Sequence, residues 1–177
     1  MAARSKARKR ALDILFEAEA KRQSAFEVLE SRTIQADPPV TSYAAELVRG
    51  VQAHRGQIDD LLGTHARGWT LDRMPAVDRN ILRIGAYELL WAAGVPEAVA
   101  INEAVLLAQE LSTDASPAFV NGLLARLLEI KPSILAAEAT ELDPVLAADE
   151  DRADDPGASA GADAGADVGA DADRETG

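Results

Sequence analysis

The chain of 177 residues contains no cysteine, so disulfides, thiolate metal sites and cysteine nucleophiles are excluded together, and a reducing cytoplasmic interior is the compartment this usage fits. Aromatic residues are scarce, at 4% against 47% apolar, so a core has to be assembled from Ala, Leu, Val and Ile. Such small and aliphatic side chains favour helix-on-helix packing. Long apolar runs are missing as well. Stretches such as Ala98 to Ile101 and Ala104 to Ala108 fall far short of the ~20 residues that cross a bilayer, so no membrane span is expected. The basic start is followed by Ala11 to Phe16, which includes Asp13 and lacks the apolar length of a signal peptide.

Histidine is limited to His54 and His65, expected to sit partly exposed on one continuous helix. Two ligands are too few for a zinc site, which takes three or four, so neither a metal nor a cofactor is expected. Carboxylates are plentiful, including Asp59, Asp60, Asp72, Asp78 and Glu88, but none stands with a nucleophile, a histidine base or an oxyanion motif. Gly63-Thr64 lacks the lysine and glycine spacing of a phosphate loop. The chain therefore reads as non-enzymatic. No segment shows the strict alternation of a half-buried strand, and no repeat of 20–50 residues appears.

What is present is charge, unevenly placed. The net charge is −12, but residues 149–177 hold ten acids against Arg152 and Arg174, a net of −8 in an Ala/Gly/Asp-rich segment. With no large apolar residue but Val168, that segment is expected to be a disordered acidic tail, leaving residues 1–148 as the folded domain. The first ten residues carry Arg4, Lys6, Arg8, Lys9 and Arg10 and no acid, and a basic helix end meets phosphates.

Apolar spacing predicts a helix from about Ser5 to Arg22 and a short one after the Ser24-Ala25-Phe26-Glu27 capping pattern, ending near Thr33. Asp37-Pro38-Pro39 predicts a loop. Thr41 or Ser42 caps one long helix through Leu47, Val51, Ile58 and Leu62, with Gly50 and Gly56 as places to bend. Met74-Pro75 opens a fourth helix that is apolar nearly all round and hence central. Pro96 begins a fifth, and Ser116-Pro117 supplies cap and first-turn proline for a sixth through Ile130. Ile134 to Leu146 reads as a loose appendage.

Two places combine chemistry suited to RNA. The basic first helix is one. The other is Thr113 to Asn121, where a helix N-terminus attracts anions, Phe119 offers a ring for an unstacked base and Asn121 offers an edge-reading amide. Each has a plainer alternative: a solubilising basic start, a core Phe119, and an Asn121 bonded to backbone.

Val77-Asp78-Arg79-Asn80-Ile81-Leu82-Arg83-Ile84-Gly85-Ala86-Tyr87-Glu88-Leu89, then Val95-Pro96, Ala100-Ile101-Asn102-Glu103-Ala104 and Phe119-Val120-Asn121-Gly122, resemble the NusB family over about residues 4–130. The resemblance implies an all-α fold of two packed three-helix bundles. It implies binding of single-stranded boxA-type RNA from ribosomal-RNA operons, in partnership with the ribosomal protein that doubles as NusE and with other Nus factors on RNA polymerase. Arg8, Arg10 and the neighbouring bases would contact phosphates, Phe16, Asp114, Ser116 and Phe119 would complete the RNA surface, and Phe16, Asp78 and Arg79 would meet the protein partner. The family often has tyrosine at Phe16, a carboxylate at Ala115 and a basic residue at Ala118, so this chain lacks one hydroxyl and one phosphate contact. A helical interaction module that homodimerises over the same surface is the alternative. The resemblance extends to N-terminal domains of ribosomal-RNA cytosine methyltransferases, but no cysteine nucleophile is present and no cofactor domain is expected after residue 148.

Overall fold

A computed structural model describes residues 2–66 and 68–141, with side chains for 3–66 and 68–139. The expected tail at 149–177 and the last part of the expected appendage lie outside the described residues. Among them there are seven α-helices and no strand: α1 (Ala2–Lys21), α2 (Ala25–Gln35), α3 (Ser42–Ala53), α4 (Arg55–His65), a 3-10 turn (Leu71–Arg73), α5 (Ala76–Leu90), α6 (Glu97–Leu111) and α7 (Ser116–Glu141). Residues 1–138 form one compact unit.

The architecture is two packed three-helix bundles. Helices α1, α2 and α3 pack on one another, α5 packs with α6 and α7, and α4 links the two sets, touching both α3 and α5. Helix α1 spends Ala7, Ala11, Leu12, Ile14, Leu15 and Ala18 on the core. Helix α5 is buried on every face from Asn80 to Leu90, which is the central placement its unbroken apolar pattern predicts. Leu123, Leu124 and Leu127 bring α7 into the same core.

The helix starts follow local chemistry. Ser24 Oγ accepts from the Phe26 amide at 3.2 Å, and Thr41 Oγ1 accepts from the Ala44 amide at 3.2 Å, so both hydroxyls satisfy amides that lack an intrahelical acceptor. Helix α2 ends at Ala36, whose φ of 53° sends its amide back to the Arg32 carbonyl.

Two expectations need correction. The single long helix after Thr41 is two, broken at His54. The His54 ring folds back, its Nδ1 2.9 Å from the Gly50 carbonyl, and stacks on Trp91 with centroids 4.5 Å apart. A side chain drawn to an i−4 carbonyl, together with a φ,ψ of −101°, 15° at His54, redirects the chain so that α4 lies against α5. The two histidines consequently do not share one continuous helix: His54 sits at the break between α3 and α4, and His65 is the last residue of α4. The second correction is that the sixth expected helix does not stop at Ile130. It runs through Pro132, and the Glu138 carboxylate beyond that proline accepts from Trp91 Nε1 at 3.2 Å, tying the extension to α5.

Candidate nucleic-acid interface

The basic residues of α1 divide into two groups. Arg4 and Lys6 are exposed, and the Arg4 guanidinium lies 5.1 Å from the centroid of the Tyr43 ring. The other three are engaged with protein. Lys9 pairs with Glu110 on α6, and Arg10 Nη2 donates to the Pro38 carbonyl at 3.0 Å. Arg8 is 2% exposed, its Nε donating to both Glu88 oxygens at 3.0 and 2.9 Å and its Nη1 lying 3.1 Å from Glu103. Tyr43 donates to the same Glu88 carboxylate. Burial disfavours the Arg8 charge, but Glu88, Tyr43 and Glu103 outweigh it and hold the guanidinium above its usual value. Arg8 therefore clamps α1 to α5 and α6. The phosphate contact expected of it would require breaking a buried pair, and the residue is corrected to a structural one.

The Lys9–Glu110 pair places α1 beside the end of α6, one turn before the α6–α7 corner. Phe16 lies seven residues after Lys9, on the same helix face, and is 42% exposed. At the corner, Asp114 and Asn121 are exposed and Phe119 is half-buried, its ring tilted 50° to that of Trp69 with centroids 6.4 Å apart. Lys9 thus sets α1 against the last turn of α6, and Phe16 is exposed two turns further along α1. Phe119 packs against the core without being enclosed by it.

Ser116, expected to cap α7 and to face RNA, is instead buried as the first residue of the helix. Its hydroxyl donates to Asp78 Oδ2 at 2.7 Å, with Thr113 Oγ1 2.8 Å and Ser112 Oγ 3.0 Å away. A hydroxyl so engaged holds the corner onto α5 and is not presented to a ligand. Asp78 is itself 4% exposed. Arg79 reaches Glu19 and donates to the Met74 carbonyl at 3.0 Å, so most of its donors are used inside the fold.

Sequence reasoning missed a second, partly buried network. Glu19 on α1 accepts from Arg79, from Arg83 Nη1 at 2.8 Å and from Asn80 Nδ2 at 3.2 Å, while Arg83 also donates to Asp59 at 2.7 Å. Burial works to raise the Glu19 carboxyl, but the hydrogen bonds and charges of Arg79 and Arg83 outweigh it and hold it at about 2, below the usual 4.5. A depressed carboxylate contributes stability that is complete above its unfolded value and is lost as pH falls from about 4.5 through about 2. Glu19→Gln should lower stability at neutral pH by ~1–3 kcal/mol, the cost of leaving buried donors unmet. It should also flatten the acid limb of a urea-midpoint-against-pH curve; an acid limb as steep as the parent's would contradict this assignment.

Trp69 is a second residue that sequence reasoning missed. It is 51% exposed and lines a small cavity of about 180 Å³ with Met74, Pro75, Asp78, Thr113, Ala115, Ser116 and Phe119. A tryptophan between Gly68 and Thr70, outside any apolar periodicity, was the available signal.

Comparison with known proteins agrees with this architecture. The model of the NusB family matches residues 5–129. The chain is 60% identical over 131 residues to the transcription antitermination protein NusB of Thermobifida fusca (strain YX), covering 74% of this chain and 92% of that protein. Among solved structures, NusB from T. maritima superposes with a TM-score of 0.64 at 33% identity, covering 71% of this chain and 90% of that one. A crystal structure of antitermination factors NusB and NusE in complex with double-stranded RNA gives 0.64 at 23% identity, covering 73% and 98%, and shares the fold. With a family match across most of its helical unit and a relative this similar over nearly its full length, the chain belongs to the NusB family.

Proposed function

We propose that this protein is a non-catalytic transcription antitermination factor that binds single-stranded boxA-type RNA of ribosomal-RNA operon transcripts together with the ribosomal protein NusE, bringing that RNA to the other Nus factors on RNA polymerase. Its relatives carry the antitermination name, and a structure of the same fold holds NusE and RNA. The observation that carries the reading is the Lys9–Glu110 pair, which sets the basic helix α1 against the last turn of α6, next in sequence to the segment that bears exposed Asp114 and Asn121 and half-buried Phe119. Arg4, Lys6, Lys9 and Arg10 supply cations there, Phe16 and Phe119 supply ring faces for unstacked bases, and Asn121 supplies an amide for a base edge. Phe16, Asp78 and Arg79 serve the protein partner, and Ser116 serves by fixing Asp78.

The test is a titration of labelled boxA-type RNA, with and without NusE, across several salt concentrations. Sequence-selective binding strengthened by NusE is the expected result. Arg4→Ala with Lys6→Ala should lower affinity and reduce the salt slope by about 0.7 for each phosphate that is no longer neutralised. Equal affinity for boxA-type and scrambled RNA in the presence of NusE would reject the proposal.

A further inference from the structure

Helix α1 meets α6 through two ion pairs that differ in depth. Arg8 pairs with Glu103 inside the fold, where the side chains are 2% and 10% exposed. Seven residues further along α6, on the same face, Glu110 pairs at the surface with Lys9, where the side chains are 58% and 43% exposed. The inner pair does the holding: Arg8 also binds Glu88, and these contacts fix α1 against α5 and α6. An exposed pair such as Lys9–Glu110 adds little to folding. Nor does Glu110 help its own helix, since it lies in the last turn of α6, where the negative end of the helix dipole disfavours an acid. Among the described residues Arg4, Lys6 and Arg10 make no ion pair, and Arg8 is buried. Lys9 is thus the cation of this group that an incoming phosphate can reach and that already holds an anion.

We propose that Glu110 is a built-in competitor for RNA, its carboxylate standing at Lys9 where an RNA phosphate binds, so that each phosphate contact made by Lys9 exchanges one anion for another. The proposal rests on the RNA reading above and adds what limits the strength of that contact. Carboxylate and phosphate offer the ammonium the same chemistry, an oxyanion that accepts charge-assisted hydrogen bonds. The flexible stem of lysine lets its head swing from one to the other, while the buried Arg8 contacts keep α1 in place. The exchange is not free of cost. The pair is lost, and Glu110 is left as an uncompensated negative charge beside the RNA backbone. A phosphate contact carries no sequence information, so the cost falls on every RNA alike. RNA held through its backbone only is weakened towards dissociation, whereas RNA with base contacts in addition retains enough affinity to stay. Glu110 in this way sets a threshold against indiscriminate binding by a basic helix.

The experiment is a titration of labelled boxA-type RNA, and of a scrambled RNA of the same length, with the full chain at several salt concentrations. It compares the parent, Glu110→Gln, Lys9→Ala and the double variant, each first checked by thermal melting. Both side chains are exposed, so the substitutions leave the fold in place. Glu110→Gln is expected to lower Kd for both RNAs by the same factor, about two- to fivefold at low salt, which is the range an exposed ion pair is worth. The gain should shrink as salt rises and screens the pair. On the Lys9→Ala background the same substitution should give a clearly smaller gain, because the pair it would release no longer exists. An equal gain on both backgrounds would overturn the competition and leave Glu110 as a source of general repulsion. An unchanged or raised Kd for Glu110→Gln, in a parent that binds RNA, would overturn it too while leaving the RNA reading in place. Failure of the parent and of Glu110→Gln to bind either RNA, even with NusE added, would overturn both.

Discussion

Replacing Arg8 with alanine lowers folding stability by about 3–5 kcal/mol, a large part of what a domain of this size has. The reason is what remains behind. Glu88 and Glu103 are both buried, and Arg8 is the cation between them. Without it Glu88 keeps only the Tyr43 hydroxyl as a side-chain donor, and two carboxylates face each other in the interior. Urea unfolding should show a lowered midpoint with an unchanged slope, and a loss under about 1 kcal/mol would mean that the pair is solvated and weak. Arg8→Met combined with Glu88→Leu and Glu103→Gln should recover part of the loss, because removing all three buried charges is far less costly than removing the one cation that offsets the other two. The burial of Arg8 also decides which α1 variants report on RNA binding. An Arg8→Ala protein that fails to bind RNA reports a partly unfolded population, whereas Arg4 and Lys6, exposed on the same helix, report phosphate contact directly.

This division between Arg8 and its neighbours marks where the sequence stops being informative. Apolar spacing was sufficient to find α1, α2, α5 and α6, because each buries a stripe or a whole circumference whose period is visible in one dimension. The prolines and hydroxyls at 38–41, 74–75 and 96 located the boundaries for the same reason: their chemistry is local. A run of five bases, by contrast, shows charge but not where the charge goes. Glu88 and Glu103 lie 80 and 95 positions from Arg8, and only the packing of α1 against α5 and α6 reveals them. Ser116 is a similar case, a residue with every local attribute of a cap that is diverted by Asp78, 38 positions away. The break at His54 was hidden because a ring folding back on Gly50 leaves the apolar period almost undisturbed. Family resemblance pointed to α1 and the α6–α7 corner; it took the three-dimensional contacts to separate the side chains exposed there from those that hold the helices together.

Gly50→Ala should destabilise the protein by about 3 kcal/mol or more, although helix propensity alone argues the opposite sign. Alanine is favoured over glycine inside a helix by ~1 kcal/mol, and Gly50 sits within α3. The Tyr87 side chain, however, lies against the Gly50 backbone, so that an added methyl group would overlap its ring and hydroxyl. The ring has little room to retreat: it stands on the central helix α5, and His54 is beside it at a centroid distance of 5.7 Å. Overpacking of this kind is relieved by shifting backbone, at a cost that exceeds the propensity gain. Gly56 provides the internal comparison, since nothing lies within 4 Å of a methyl group built there. Gly56→Ala should therefore stabilise by ~0.5–1 kcal/mol, as propensity dictates. A double-mutant cycle separates the two effects: with Tyr87→Leu in place, Gly50→Ala should cost at least ~1 kcal/mol less than in the parent. An undiminished cost on that background would place the penalty in α3 itself and remove Tyr87 as its cause.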